Sequence, residues 1–125
     1  MRLNIVKISP RLLPKLPFKK AAENVLGKQF ELDLIFSSGF FMKKLNKTYR
    51  KKDKSTNVLS FGLDKMRGEI VFDIQLIKKE APKRGLTFKQ WLWKLYLHAL
   101  LHLKGHRHGT VMSKKETKLI ESFNI

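Results

Sequence analysis

The sequence predicts an α+β fold in which a small mixed β-sheet is packed with helices. Three observations carry this. Apolar residues alternate in two stretches before residue 40, the pattern of half-buried strands, and two short apolar runs before residue 75 also read as strands. Helical patterns separate some of those strands but not all, giving the order βαβαββααα, which lacks the strict alternation of a doubly wound fold. With 125 residues, 42% hydrophobic, the chain is long enough for one compact core and too short for two, so residues 1–125 are read as one domain.

Residues 2 to 8, RLNIVKI, place apolar and β-branched side chains at alternate positions and read as the first strand. KLPFKKAAENVLGKQ follows as a short helix that Gly27 ends, and QFELDLIF is the second strand. In SSGFFMKKLNKTYR, Phe41, Leu45 and Tyr49 recur at helical spacing, predicting a helix over about 38–50. KKDKSTN is polar and turn-like. VLSFG and GEIVFDI read as two strands joined by a short LDKMR connection, and QLIKKEAPKRG as a helix up to Pro82. Thr87 caps the most apolar helix of the chain, TFKQWLWKLYLHALLHLK, which stops at Gly105. A last helix covers about 113–122.

Charge is the strongest global signal. Lys and Arg number 27 against 10 Asp and Glu, a net +17, far beyond what solubility requires. A polyanion is the natural partner. No segment shows a basic face opposite an aromatic-rich apolar face, so nucleic acid ranks above a membrane surface. Pro10, Pro14 and Pro17 interrupt the basic N-terminal stretch before it becomes an export or membrane-spanning segment. There is no cysteine, hence no disulfide partner and no thiolate ligand, and any metal must be held by imidazole or carboxylate. A cytoplasmic location fits that composition.

All four histidines, His98, His102, His106 and His108, fall within LHALLHLKGHRHG. On a helix, His98 and His102 project from one face about a turn apart and can close on one ion. Gly105 tolerates the left-handed backbone that ends a helix, so a residue just beyond it can swing back toward the first two rings. His106 and His108 compete for that third place, and the spacing favours His108. The pattern H-x-x-x-H-x-x-G-x-x-H is that of a three-imidazole zinc site with a fourth position left for water. A lone histidine on an apolar helix is usually a packed core residue, but two at ligand spacing followed by a glycine and a third are not. Zinc peptidases of this spacing carry a glutamate after the first histidine; here Ala99 stands there and cannot take a proton, which disfavours peptide hydrolysis.

MKKLNKTYRKKDK, residues 42–54, holds seven cations and one acid, Asp53. Such a run is ordinarily a solvated face, but this one leads into a strand and sets Arg50 where helix gives way to loop. A guanidinium there can fork onto phosphate oxygens and stabilise charge that develops during attack on a phosphodiester. Lys47, Lys51, Lys52 and Lys54 would add salt-sensitive attraction to a nucleic-acid backbone without reading bases. A metal-activated water beside such an arginine describes a phosphodiester hydrolase.

These motifs resemble those of the YbeY-type endoribonucleases, bacterial rRNA maturation factors. Their histidine motif HGxLHLxGYDH is similar to HALLHLKGHRH from His98 to His108. Their YRxKDxPTDVLSFP resembles YRKKDKSTNVLSFG from Tyr49 to Gly62, and their GDIVIS resembles GEIVFD from Gly68 to Asp73. The resemblance implies one zinc ion per chain on His98, His102 and His108, and Arg50 as the functional arginine beside it. It also implies single-stranded RNA as substrate, with small-subunit rRNA 3′-end maturation and ribosome quality control as the setting. The departures are specific. Ala99 replaces the motif glycine, and Ser55, Asn57 and Gly62 replace Pro, Asp and Pro. Arg107 and His106 replace Asp and Tyr, so the loop lacks a carboxylate that could orient a ligand imidazole, leaving Glu69 or Asp53 as substitutes. The competing reading is a non-catalytic ribosome assembly factor with a structural zinc, whose charge simply binds rRNA.

Overall fold

The computed structural model describes residues 1–7, 13–50, 56–105 and 109–123, with only the backbone of Asn46, Tyr49 and Arg50. The predicted order of elements is present: β1 (Arg2–Lys7), α1 (Phe18–Leu26), β2 (Glu31–Ser37), α2 (Gly39–Arg50), β3 (Val58–Asp64), β4 (Arg67–Asp73), α3 (Ile74–Lys83), α4 (Phe88–Leu103) and α5 (Thr110–Phe123). The strands form a mixed sheet in the order β1-β2-β4-β3, with β1 and β4 both parallel to β2 and β3 antiparallel to β4. The fold is α+β. Among the described residues no helix is long and apolar enough to cross a membrane.

Alternation along the strands gives the sheet two unlike faces. Leu32, Leu34 and Phe36 of β2 with Ile70 and Phe72 of β4 point to one side, where α4 packs with Leu92, Tyr96, Leu97 and Leu100, all fully buried. Phe36 and Phe72 stack at 5.0 Å between ring centroids. The other face carries a smaller cluster, Met42 of α2 over Leu59 and Val71, flanked by Phe41 and Leu45. Where α2 does not reach, that face is polar, with Glu31 bridging Arg2 and Arg67. β1 is an edge strand, and its Ile5 and Val6 are largely exposed despite their apolar alternation.

Helix α4 is the hub, in contact with β3, β4, α1, α3 and α5. Its start is capped on both sides: Thr87 Oγ1 accepts from the Gln90 N–H and Gln90 Oε1 accepts from the Thr87 N–H. Tyr96 donates to the Phe18 carbonyl at 2.6 Å, tying α1 to α4, and burial pushes its phenol far above the ordinary range. Glu80 of α3 accepts from Trp91 Nε1 and from Asn57 Nδ2, which anchors the end of the basic loop against the start of α4.

Three boundaries differ from those read in the sequence. Asp64 accepts the Met66 N–H at 2.8 Å and closes a tight turn at Lys65 and Met66, so the strands consume most of the LDKMR connection. Helix α3 continues past Pro82 to Lys83, because a proline one residue from the helix end costs a single hydrogen bond. Helix α5 begins at Thr110, three residues early.

Gly68 lets the end of α4 lie close on the sheet: a Cβ there would stand 3.2 Å from both Leu103 Cδ2 and the Phe61 carbonyl. Gly68→Ala should therefore destabilise the protein by about 1–3 kcal/mol. Gly62→Ala, whose Cβ meets no atom within 4 Å, should stay within about 0.5 kcal/mol of the parent. Denaturant midpoints of the two variants check the difference.

Candidate functional site

The last two turns of α4 pass from the core to the surface. Its apolar residues occupy the faces turned to the sheet and neighbouring helices, and His98 and His102 fall on the remaining stripe, both half-buried. Their rings meet edge to face, centroids 4.7 Å apart, with the two Nε2 atoms 3.1 Å from one another. Two imidazole nitrogens on one tetrahedral ion, each about 2.0–2.1 Å from it, stand about 3.3 Å apart. The observed contact is a ring-to-ring hydrogen bond, in which His98 Nε2 accepts from the His102 Nε2–H, and its length lies close to that bite, so an ion held by both nitrogens would take the place of the shared proton.

On the far side of the His98 ring, Nδ1 is 3.1 Å from Glu116 Oε2 of α5. An ionised carboxylate only accepts, so the proton of this hydrogen bond sits on Nδ1 and Nε2 of His98 keeps its lone pair. A ring nitrogen prepared to donate electrons to a metal needs that arrangement. Glu116 cannot ligate the same ion, since it lies behind the ring. The donor set, two convergent neutral imidazole nitrogens and a bracing carboxylate, fits zinc.

Beyond the helix the chain turns as predicted. Gly105 has φ +104°, a conformation few other residues adopt, and its N–H donates to the His102 carbonyl. His106 and His108 lie outside the described residues. Among the described residues no group of three side chains is placed to hold a metal ion. Arg50 ends α2, its side chain outside the described atoms, and Lys51, Lys52, Lys54 and Asp53 are outside as well. Lys47 is on the exposed surface of α2. Of the predicted residues, then, the described part of the structure brings together His98 and His102.

The carboxylate behind the His98 ring is not Glu69, one of the two the sequence offered; the other, Asp53, lies outside the described residues. Glu69 belongs to the opposite face of the sheet, beside Ile35, Phe41 and Leu45, where α4 does not reach. Glu116 takes the part instead. Its one sequence signal was isolation, as the sole acid between Thr110 and Ile120 in a stretch containing three lysines. Ala99, the departure from the motif glycine, is absorbed in the core at 2% exposure.

Fold and site together define a class: a small α+β protein with an imidazole pair at the surface end of a core helix, spaced so that one divalent ion could span it. Residues 11–124 match the family Endoribonuclease YbeY. A curated relative of that name from Campylobacter jejuni is 34% identical over 119 residues, covering 89% of this chain and 88% of its own. Another, from Nautilia profundicola, is 38% identical over 102 residues, covering 76% of this chain and 73% of its own. The solution structure of TM1509 from Thermotoga maritima superposes with a TM-score of 0.67 over 97% of this chain and 88% of that one, at 24% identity, and so shares the fold. The chain belongs to the YbeY endoribonuclease family.

Nitrogen NMR of the parent protein should show the His98 proton on Nδ1. Glu116→Ala removes the acceptor, and the proton should then redistribute toward Nε2. An unchanged tautomer would mean that Glu116 does not set it.

Proposed function

We propose that this protein is a zinc-dependent, single-strand-specific endoribonuclease, acting in the cytoplasm on small-subunit rRNA during 3′-end maturation and ribosome quality control. The observation that carries the reading is the 3.1 Å separation of the His98 and His102 Nε2 atoms, with Glu116 behind the first ring. The family's name, the matched motifs and the net charge of +17 support RNA as the substrate. Residues 1–125 act as one domain in this reading.

His98, His102 and His108 hold the ion as neutral imidazoles, and Glu116 keeps the His98 proton on the side away from it. When bound, zinc lowers the pKa of a coordinated water toward neutrality and polarises a phosphoryl oxygen. Arg50 receives the non-bridging oxygens of the scissile phosphate and stabilises the charge that grows on them. Lys47, Lys51, Lys52 and Lys54 draw in the flanking backbone by charge alone, so association weakens with salt.

The alternative, a structural zinc in a non-catalytic rRNA-binding factor, requires the fold to depend on the ion. The core argues against that dependence. The large apolar cluster closes between the sheet and α4, and the imidazoles stand at its edge.

His98→Ala and Arg50→Glu should stay folded by circular dichroism while cleaving single-stranded RNA at least on the order of 100-fold more slowly. Chelation should abolish cleavage and leave the far-ultraviolet spectrum intact. Unfolding on chelation would favour the structural zinc, and parental rates in both variants would refute the proposed centre.

A further inference from the structure

Helix α2 packs one side on the sheet and turns another outward. Met42 is buried, with Phe41 and Leu45 beside it over Leu59 and Val71. Phe40, Lys43, Lys44 and Lys47 stand at positions i, i+3, i+4 and i+7 and so share the opposite stripe. Phe40 is 83% exposed, the most open of the large apolar side chains among the described residues, and Lys44 and Lys47 are exposed as well. Lys43 shares the stripe but interacts within the protein. Three residues after Lys47 the helix ends at Arg50, about 15 Å from Phe40 along the axis at about 1.5 Å per residue. An aromatic ring stabilises a fold by leaving water, and this one does not leave it.

We propose that the outer stripe of α2 is a stacking platform for unpaired RNA, with a base on the Phe40 ring and phosphates of the same strand at Lys44 and Lys47 on the way to Arg50. The inference rests on RNA being the substrate and adds to that reading a side chain that touches a base. Three features select this occupant. A phenyl ring presents a flat apolar face, and every base has a matching one. In a duplex those faces are covered by neighbouring pairs, so the platform takes an unpaired strand. Lys43, Lys44, Lys47 and Arg50 give the helix four cations and no acid, the complement of a phosphate chain. A membrane surface would instead take up the apolar side of the helix, and that side is already packed on the sheet. Because stacking tolerates any base, the platform holds the strand without reading its sequence.

The test separates stacking from charge. Affinity for an unstructured oligoribonucleotide, and for a duplex of the same sequence, is measured by fluorescence anisotropy across salt concentrations. Phe40→Ala should lose about tenfold in affinity for the single strand at an unchanged log–log salt slope, and should bind the duplex like the parent. Phe40→Trp should bind the single strand at least as tightly as the parent. Lys44→Gln should lower the slope by about 0.7, one phosphate contact on a single strand, whereas Lys20→Gln, exposed on α1 across the sheet, should keep it. Thermal midpoints should be parental throughout, since a side chain this exposed supports no core. Parental single-strand affinity in Phe40→Ala, or an equal loss for the duplex, would overturn the proposal. So would a Phe40→Ala variant that keeps its RNA affinity but no longer sediments with phosphatidylglycerol vesicles, which would assign the stripe to a membrane. A parent that binds no unpaired RNA refutes the substrate reading and this inference with it; a parent that binds while both Phe40→Ala and Lys44→Gln match it refutes this inference alone.

Discussion

Helix α4 is apolar around most of its circumference, and such a helix is stable only when other elements enclose it. The sheet supplies one wall with Leu32, Leu34, Phe36, Ile70 and Phe72; α1, α3 and α5 supply the rest. Enclosure fixes the rotation of the helix about its own axis. Turning it would drive His98 and His102 into the core and bring Leu97 or Leu100 into water. The same packing that stabilises the fold therefore aims the two imidazoles.

Precision in the site comes from a second, weaker set of constraints. Gly68 allows Leu103 to settle on the sheet, which sets the height of the last turn of α4. Gly105 ends the helix and sends the chain onward. Glu116 reaches across from α5 and chooses the tautomer of His98. Each acts through a different physical effect, namely steric clearance, backbone torsion and hydrogen-bond polarity, so each can be altered separately.

Electrostatics divides the molecule by function. The charge of +17 is spread over most of the chain, yet the acids that remain are used locally. Glu31 binds Arg2 and Arg67 on the open sheet face, Glu80 holds Asn57 and Trp91, and Glu116 holds His98. Ion pairs at the surface contribute little to stability in water. The value of these carboxylates lies in orientation, while the excess of lysine and arginine over acid leaves the chain with a large net positive charge.

The sequence by itself determined what depends on short-range pattern: the alternating strands, the helical period of Phe41 and Leu45, the Thr87 cap, the Gly105 turn and the four-residue spacing that puts His98 and His102 on one face. These are legible because each is dictated by a few neighbouring residues and a fixed backbone period. The order of strands in the sheet, the exposure of β1 and the carboxylate behind His98 were decided only by tertiary structure. Glu116 lies 18 residues from His98, and no spacing rule joins positions that far apart. Only the packing of α5 against α4 brings them to 3.1 Å, whereas Glu69, which the sequence offered for the same task, is turned away by the pleat of β4 onto the other face of the sheet.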